Sequence, residues 1–160
     1  MTLMQAKVNI TAMNEASRII MRPIGIVHNE LRRGITPPRQ KSPRSVIEVM
    51  PSYAEGLQGI EPGQALVIVF LFHLSQKPVP LLQHPQGDTS RPRRGVFALR
   101  SPLRPNPIGL TTVRVLDVKE NKLIVAGLDA FDGTPVLDIK PYIAWVDEPP
   151  APEQAAASAT

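Results

Sequence analysis

Polar residues of a few kinds recur where apolar runs of this chain end, and their types define the chemistry open to it. "PPRQ" (37–40) sets Arg39 and Gln40 behind two prolines, and "FH" puts His73 where an apolar run stops. "FALRS" (97–101) delivers Arg100 into "RSPLRPNPIGL" (100–110), which carries Arg104 and Asn106 among Pro102, Pro105 and Pro107. "GLDAFDG" (127–133) ends a run on Asp129 and turns at Asp132 and Gly133, while "DIKPY" (138–142) spaces Asp138 and Lys140 for one strand face. Arginine forks match carboxylates and phosphates, and an asparagine amide offers a donor and an acceptor together. Such residues bind and orient a ligand.

Stronger chemistry is missing. Cysteine is absent, Ser101 lacks a G-x-S-x-G setting, and His28, His73 and His84 show neither H-x-H nor H-E-x-x-H spacing. No G-x-G and no G-x-x-x-x-G-K-[ST] occurs, so Rossmann and P-loop sites are excluded. Any catalysis therefore rests on placement rather than on a strong nucleophile or a metal. Taken singly, the polar residues are ordinary: Asp-Gly is most often a turn, an Asp and Lys two apart are often a weak surface pair, and a lone histidine is usually a satisfied rim or core residue. The conjunction carries the weight.

The proline stretch is stiff by construction. Each proline fixes its own φ and pushes Ser101, Arg104 and Asn106 before it toward extended backbone, so 100–110 is expected to form neither a helix nor a regular strand pair. A stiff loop loses little entropy when a ligand arrives and holds side chains in preset directions. The plainer alternative is a polyproline-like connector.

The elements that must position these residues are strands. "PIGIVH" (23–28), "SVIEV" (45–49), "ALVIVFLFH" (65–73), "GVFAL" (95–99), "LTTVRVLDV" (110–118), "KLIVAGLD" (122–129) and "PVLDIKPYI" (135–143) are β-branched runs bounded by Pro, Gly, Asn or Asp. Apart from a short piece near Tyr53–Leu57, and one or two turns around Asn14–Ile20, no helix separates them, which disfavours a parallel βαβ fold. Leu66–Phe72 is apolar on both faces and should be central, and "DVKENKL" reads as a hairpin turn. The fold class is all-β, a closed or nearly closed barrel with short helices and long polar loops. Residues 1–21 read as an extension, 22–147 as the barrel and 148–160 as a low-complexity, disordered tail. The 74–94 loop is long enough to need a task or to be disordered.

Bulk properties narrow the partners. Net charge is +4, and twelve of the eighteen cations are arginine. Five basic residues lie between Arg32 and Arg44 with no acid, and six lie from Lys77 to Arg104 against Asp88 alone. An RNA partner and a merely soluble basic surface explain this equally well. No run reaches the roughly 18 apolar residues of a membrane helix, and the first residues lack the zones of a signal peptide, so a cytoplasmic protein is expected.

"PIGIVHNEL", "PPRQ", "RRGVFALRSPLRPNPIGLTTVRVLDV" and "GLDAFDGTPVLDIKPY", in this order and spacing, resemble the TrmO family, whose members methylate tRNA with S-adenosylmethionine. The likeness runs from about Pro23 to Tyr142. It implies a single-sheeted β-barrel, a homodimer, and methylation at N6 of threonylcarbamoyladenosine next to the anticodon. Carried over by motif, Pro38, Arg39, Gln40, His73, Leu74, Arg100, Leu110, and Ala126, Gly127, Leu128 and Asp129 would contact the cofactor. Arg100 and Arg104 would orient phosphate or carboxylate groups, and Asn106 would hydrogen-bond the base or its modification. Asp138 and Lys140 would support that catalytic group from behind, and Arg32, Arg33, Arg93 and Arg94, with Arg104, would face tRNA. Longer relatives continue into a C-terminal domain that has no counterpart in these 160 residues. Two other readings stay open: a methyltransferase of the same barrel type with another substrate, and a non-catalytic RNA-binding barrel, for which the seven aromatics are few.

Overall fold

The computed structural model describes residues 19–34, 41–75 and 78–151. Six strands close into an antiparallel barrel in the order β1-β2-β7-β6-β3-β8, with β8 returning to β1. They are β1 (Gly25–His28), β2 (Ser45–Val49), β3 (Ala65–Leu71), β6 (Ile108–Lys119), β7 (Lys122–Ala126) and β8 (Pro135–Pro141). A separate two-stranded ribbon joins β4 (Leu82–Gln83) to β5 (Arg94–Gly95), and one short helix, α1 (Ala144–Asp147), follows β8. No described helix is long and apolar enough to cross a membrane.

Period-two alternation makes the wall. In β6, Thr111, Val113 and Val115 are buried while Thr112 and Arg114 are exposed. Leu66, Ile68 and Phe70 of β3 meet Val27, Ile47, Val49, Leu123, Val125 and Val136 inside. β3 pairs with β6 over Ala65–Leu71 and with β8 on its other edge; in a closed barrel each strand has two neighbours, so its apolar pattern marks burial rather than a central place. The ring of Phe70 lies across Gly109, where any Cβ would run into it, and meets Phe72 edge-on at 5.3 Å. Glycine on β6 is the condition for an aromatic inside this part of the barrel. Residue 137 is an extra residue in β8: Phe70 pairs with Val136 and Val69 with Asp138, so the strand bulges.

The β6–β7 hairpin forms where "DVKENKL" predicts it, with Glu120 at φ 53° and the Asn121 amide donating to the Val49 carbonyl at 2.8 Å. The piece near Tyr53 is a 3-10 turn over Pro51–Leu57. Two further expectations change. "GVFAL" is not a strand: β5 stops at Gly95 and Val96–Ala98 form a 3-10 turn, because Val96 tucks inward while Phe97 stays exposed. The proline stretch is irregular only to Pro107, since Ile108–Leu110 already pair with β3. Residues 14–18 of the expected N-terminal turns, and 152–160 of the tail, lie outside the described residues.

Candidate functional site

One rim of the barrel gathers the ends of β1, β3 and β7 and the starts of β2, β6 and β8, as the pairs His28 with Val46, Ser45 with Val125 and Leu71 with Ile108 require. The chain leaving β3 carries His73 and Leu74 into this rim, both exposed. The Leu74 carbonyl accepts from Arg33 Nη1 at 2.7 Å, and His73 Nδ1 lies 3.3 Å from the hydroxyl of buried Thr134. Past β7, Gly127 adopts φ +86° and turns the chain toward Ser42. Gly127 N donates to the Ser42 carbonyl and Ser42 N to the Leu128 carbonyl, at 2.8 and 2.9 Å. This bridge brings Ser42, two residues beyond "PPRQ", against the Ala126–Asp129 segment. Pro38, Arg39 and Gln40 themselves lie outside the described residues. Leu128 points into the core and is fully buried, so its backbone alone faces the rim, whereas Asp129 is exposed.

Residues that the sequence reading missed hold this rim together. The Asn29 amide donates to Ser45 Oγ at 2.9 Å and to the Ala130 carbonyl at 3.0 Å, and its own oxygen accepts from Leu31 N. Asn29 N donates to the Asp132 carboxylate at 3.0 Å, and that carboxylate also pairs with Arg32 at 3.3 Å. The loop after β1 and the loop before β8 are thus one hydrogen-bonded unit. It sets Arg33 over Leu74. Asp132 is more than the turn residue its Asp-Gly context suggests, and the Asn29-to-Leu31 turn is the local signal that could have marked Asn29.

The proline stretch flanks the same rim. Phe72 N donates to the Pro107 carbonyl at 2.7 Å and Ser75 Oγ to the Pro102 carbonyl at 2.9 Å, so the loop is pinned to the segment that carries His73 and Leu74. Arg100 reaches out of it to the Leu110 carbonyl. Asn106 is exposed and borders a groove of about 220 Å³ with Met21, Leu71, Pro107, Ile108 and Leu137, where it is the polar member among apolar walls.

Asp138 and Lys140 sit elsewhere, on the outer face of β8. Leu110, Val69 and Asp138 form one row across β6, β3 and β8, and Thr112, Val67 and Lys140 form the next. Lys140 bonds Asp138 at 2.7 Å, and that hydrogen bond, with the carboxylate's charge, pushes the ammonium above the ordinary lysine range. Lys140 therefore supplies positive charge and not a proton acceptor. The structure joins this pair to Leu110 across the sheet but not to His73.

Most arginines expected to face RNA have partners within the chain. Arg32 holds Asp132 and the Leu31 carbonyl, Arg33 holds Leu74, and Arg93 Nε donates to His84 Nε2 at 3.3 Å. Arg104 is half-buried and reaches the carbonyls of Val96 and Leu99 at 3.5 Å, bracing the turn before the proline stretch. Arg94 is exposed on β5. No cluster of metal-ligating side chains occurs among the described residues.

Residues 26–148 match the family model of the tRNA-methyltransferase O N-terminal domain. An S-adenosyl-L-methionine-binding protein of Archaeoglobus fulgidus is 39% identical over 132 residues, covering 81% of this chain and 93% of its own. The crystal structure of TrmO from Pseudomonas aeruginosa superposes with a TM-score of 0.67 at 33% identity, over 84% of this chain and 60% of that one. A further TrmO crystal structure gives 0.66 at 33% identity, over 83% and 61%. The chain thus spans about three-fifths of the solved chains it resembles.

Proposed function

The chain belongs to the tRNA-methyltransferase O N-terminal domain family, and from that premise we propose that it is an S-adenosylmethionine-dependent methyltransferase acting at N6 of threonylcarbamoyladenosine in tRNA. The observation that carries the reading is the rim itself. Strand ends far apart in sequence bring His73, Leu74, Gly127, Asp129, Arg33 and Ser42 to one edge, with the stiff 100–107 loop pinned beside it.

These groups fit a nucleoside that bears an amino-acid tail. Asp129 offers an exposed carboxylate for ribose hydroxyls or an amino group, and Arg33 and Arg100 offer guanidinium N–H groups for a carboxylate. Gly127 leaves open space where a Cβ would stand. The bound cofactor supplies a methyl group on a sulfonium, its carbon–sulfur bond breaking as the new nitrogen–carbon bond forms. The chain's own task is alignment, which contributes up to roughly 7–11 kcal/mol where geometry is fixed. Asn106, restricted between two prolines, positions the carbamoyl group or base edge, and the arginines of the rim hold carboxylate and phosphate. The acceptor nitrogen lies between a purine and a carbonyl, so its proton is more acidic than that of plain adenosine and passes to water or a weak base.

The active form is a homodimer in this reading. Val69, Leu71, Ile108, Leu110 and Leu137 make an apolar stretch on the outside of β3, β6 and β8, with Ile108 and Leu110 38% and 49% exposed. A second copy covers it, and light scattering at twice the chain mass is the expected result. Mass spectrometry of tRNA nucleosides from a strain lacking the protein tests the substrate: the methylated threonylcarbamoyl nucleoside should vanish and its unmethylated precursor accumulate. Unchanged nucleosides would sink the tRNA assignment.

A further inference from the structure

We propose that Thr134 is a positioning residue that locks His73 in one tautomer, with Nε2–H aimed out of the rim as a donor for an amino-acid carboxylate. This rests on the methyltransferase reading and adds a residue and a direction of hydrogen bonding to it. Thr134 is 3% exposed, its backbone N–H donates to the Phe131 carbonyl at 3.2 Å, and its carbonyl accepts from Val27 N at 2.9 Å. The backbone is thereby fixed at the mouth of the barrel. Among the described residues its hydroxyl has one partner, His73 Nδ1 at 3.3 Å.

A buried hydroxyl hydrogen without an acceptor costs about 1–3 kcal/mol. Because Nδ1 is the acceptor in reach, the hydroxyl donates to it. Nδ1 then carries the lone pair and Nε2 carries the proton. His73 is exposed, and among the described residues Nε2 has no partner, so the N–H faces solvent at the rim. Arg33 lies over the next residue, Leu74, with N–H groups beyond the one used, while Asp132 is already paired with Arg32. An N–H donor on the residue next to the one a guanidinium contacts suits an anionic oxygen. Two partners in the proposed reaction carry the same chemistry: the amino-acid tail of the cofactor and the threonyl group of the acceptor nucleoside.

The test uses the full chain and the variants Thr134→Val, which keeps the shape and removes the hydroxyl, and Thr134→Ser, which restores it. Nitrogen NMR of His73 should show the Nε2–H tautomer in the wild type and in Thr134→Ser, and loss of that preference in Thr134→Val. Calorimetry compares S-adenosylhomocysteine with 5′-methylthioadenosine, which lacks the carboxylate. If the cofactor is the source, Thr134→Val weakens the first by about tenfold and leaves the second unchanged. If the acceptor is the source, both bind normally and KM for threonylcarbamoylated tRNA rises about tenfold at constant kcat. Thr134→Ser rescues either deficit. An Nδ1–H tautomer in the wild type, equal weakening of both nucleosides, or no change in any ligand overturns the proposal. A wild-type protein that binds neither nucleoside removes the methyltransferase reading instead, and the tautomer measurement still decides whether Thr134 sets His73.

Discussion

The barrel wall and the arm from 78 to 107 are held by different forces. In the wall, β3 and β6 alone share seven consecutive residue pairs over a closed apolar interior. In the arm, β4 and β5 share two pairs, and Val96 is the buried residue. Backbone turns such as Gly87 N to the His84 carbonyl at 3.0 Å add to this, and so do side chains reaching for carbonyls: Gln83 donates to Pro80 and Leu103 at 2.7 and 2.6 Å, His84 Nδ1 to Arg91 at 2.6 Å, Ser75 to Pro102, and Arg104 to Val96 and Leu99. A pattern spread over many residues fixes the wall, and short turns with single side-chain bonds fix the arm. Substitutions in the wall should therefore register in stability, and substitutions in the arm in function.

Phe70→Ala should produce the largest loss. Phe70 is 1% exposed, and its ring fills the space over Gly109 and beside Phe72. Removing it leaves a cavity worth about 3–5 kcal/mol, read as a fall in the urea midpoint. The arm hangs from the end of β3, so its amide protection should disappear with the wall's. Arm protection that outlived the wall would show that the two regions are independent.

Asn29→Ala comes next. It strips donors from Ser45 Oγ and the Ala130 carbonyl and frees the loop that presents Arg33, at a cost of about 1–3 kcal/mol. Cofactor affinity should fall with stability here, because the rim joins wall to site. Calorimetry and denaturation on the same variant check this; a stability loss with unchanged affinity would detach the Asn29 network from the site.

The same contrast explains what the sequence discloses. Alternation in "LTTVRVLDV" and the double-faced apolar run after Ala65 make the wall legible, since each strand repeats one signal many times. "GVFAL" misleads because Val96 alone of its large residues turns inward, which five residues of apolar composition do not reveal. At the candidate site, His73, Arg100 and Asp129 are visible as polar residues where apolar runs end. Thr134, Ser42 and the bond between Asn29 and Asp132 are not, because their partners lie 61, 86 and 103 residues away and only barrel closure brings them together. Asp138 with Lys140 is legible as a pair, yet its place on the outer face follows from register.

Gln83→Ala probes the arm with a smaller cost. Two carbonyls lose one donor, and since the site is partly open to water the penalty should be about 1 kcal/mol. Hydrogen exchange should quicken in 80–104 and not in β3 or β6. A loss of protection throughout the barrel would erase the distinction between the regions.

Asn106→Asp should cost the fold least and discriminate most. Asn106 is exposed, Pro105 and Pro107 restrict its backbone, and its carbonyl, which accepts from Ile108 N at 2.7 Å, is untouched by the change. Stability should stay within about 0.5 kcal/mol of the parent. The side chain, however, loses its N–H donors and gains a charge, which repels a substrate carboxylate and no longer donates to a carbamoyl oxygen. Dimer formation and cofactor binding should survive while methyl transfer to threonylcarbamoylated tRNA is largely lost, measured with labelled methyl at saturating cofactor. Near-normal turnover would make the proline stretch a connector, and would place the function of the arm in its arginines rather than in the one amide that its stiffest segment holds beside the rim.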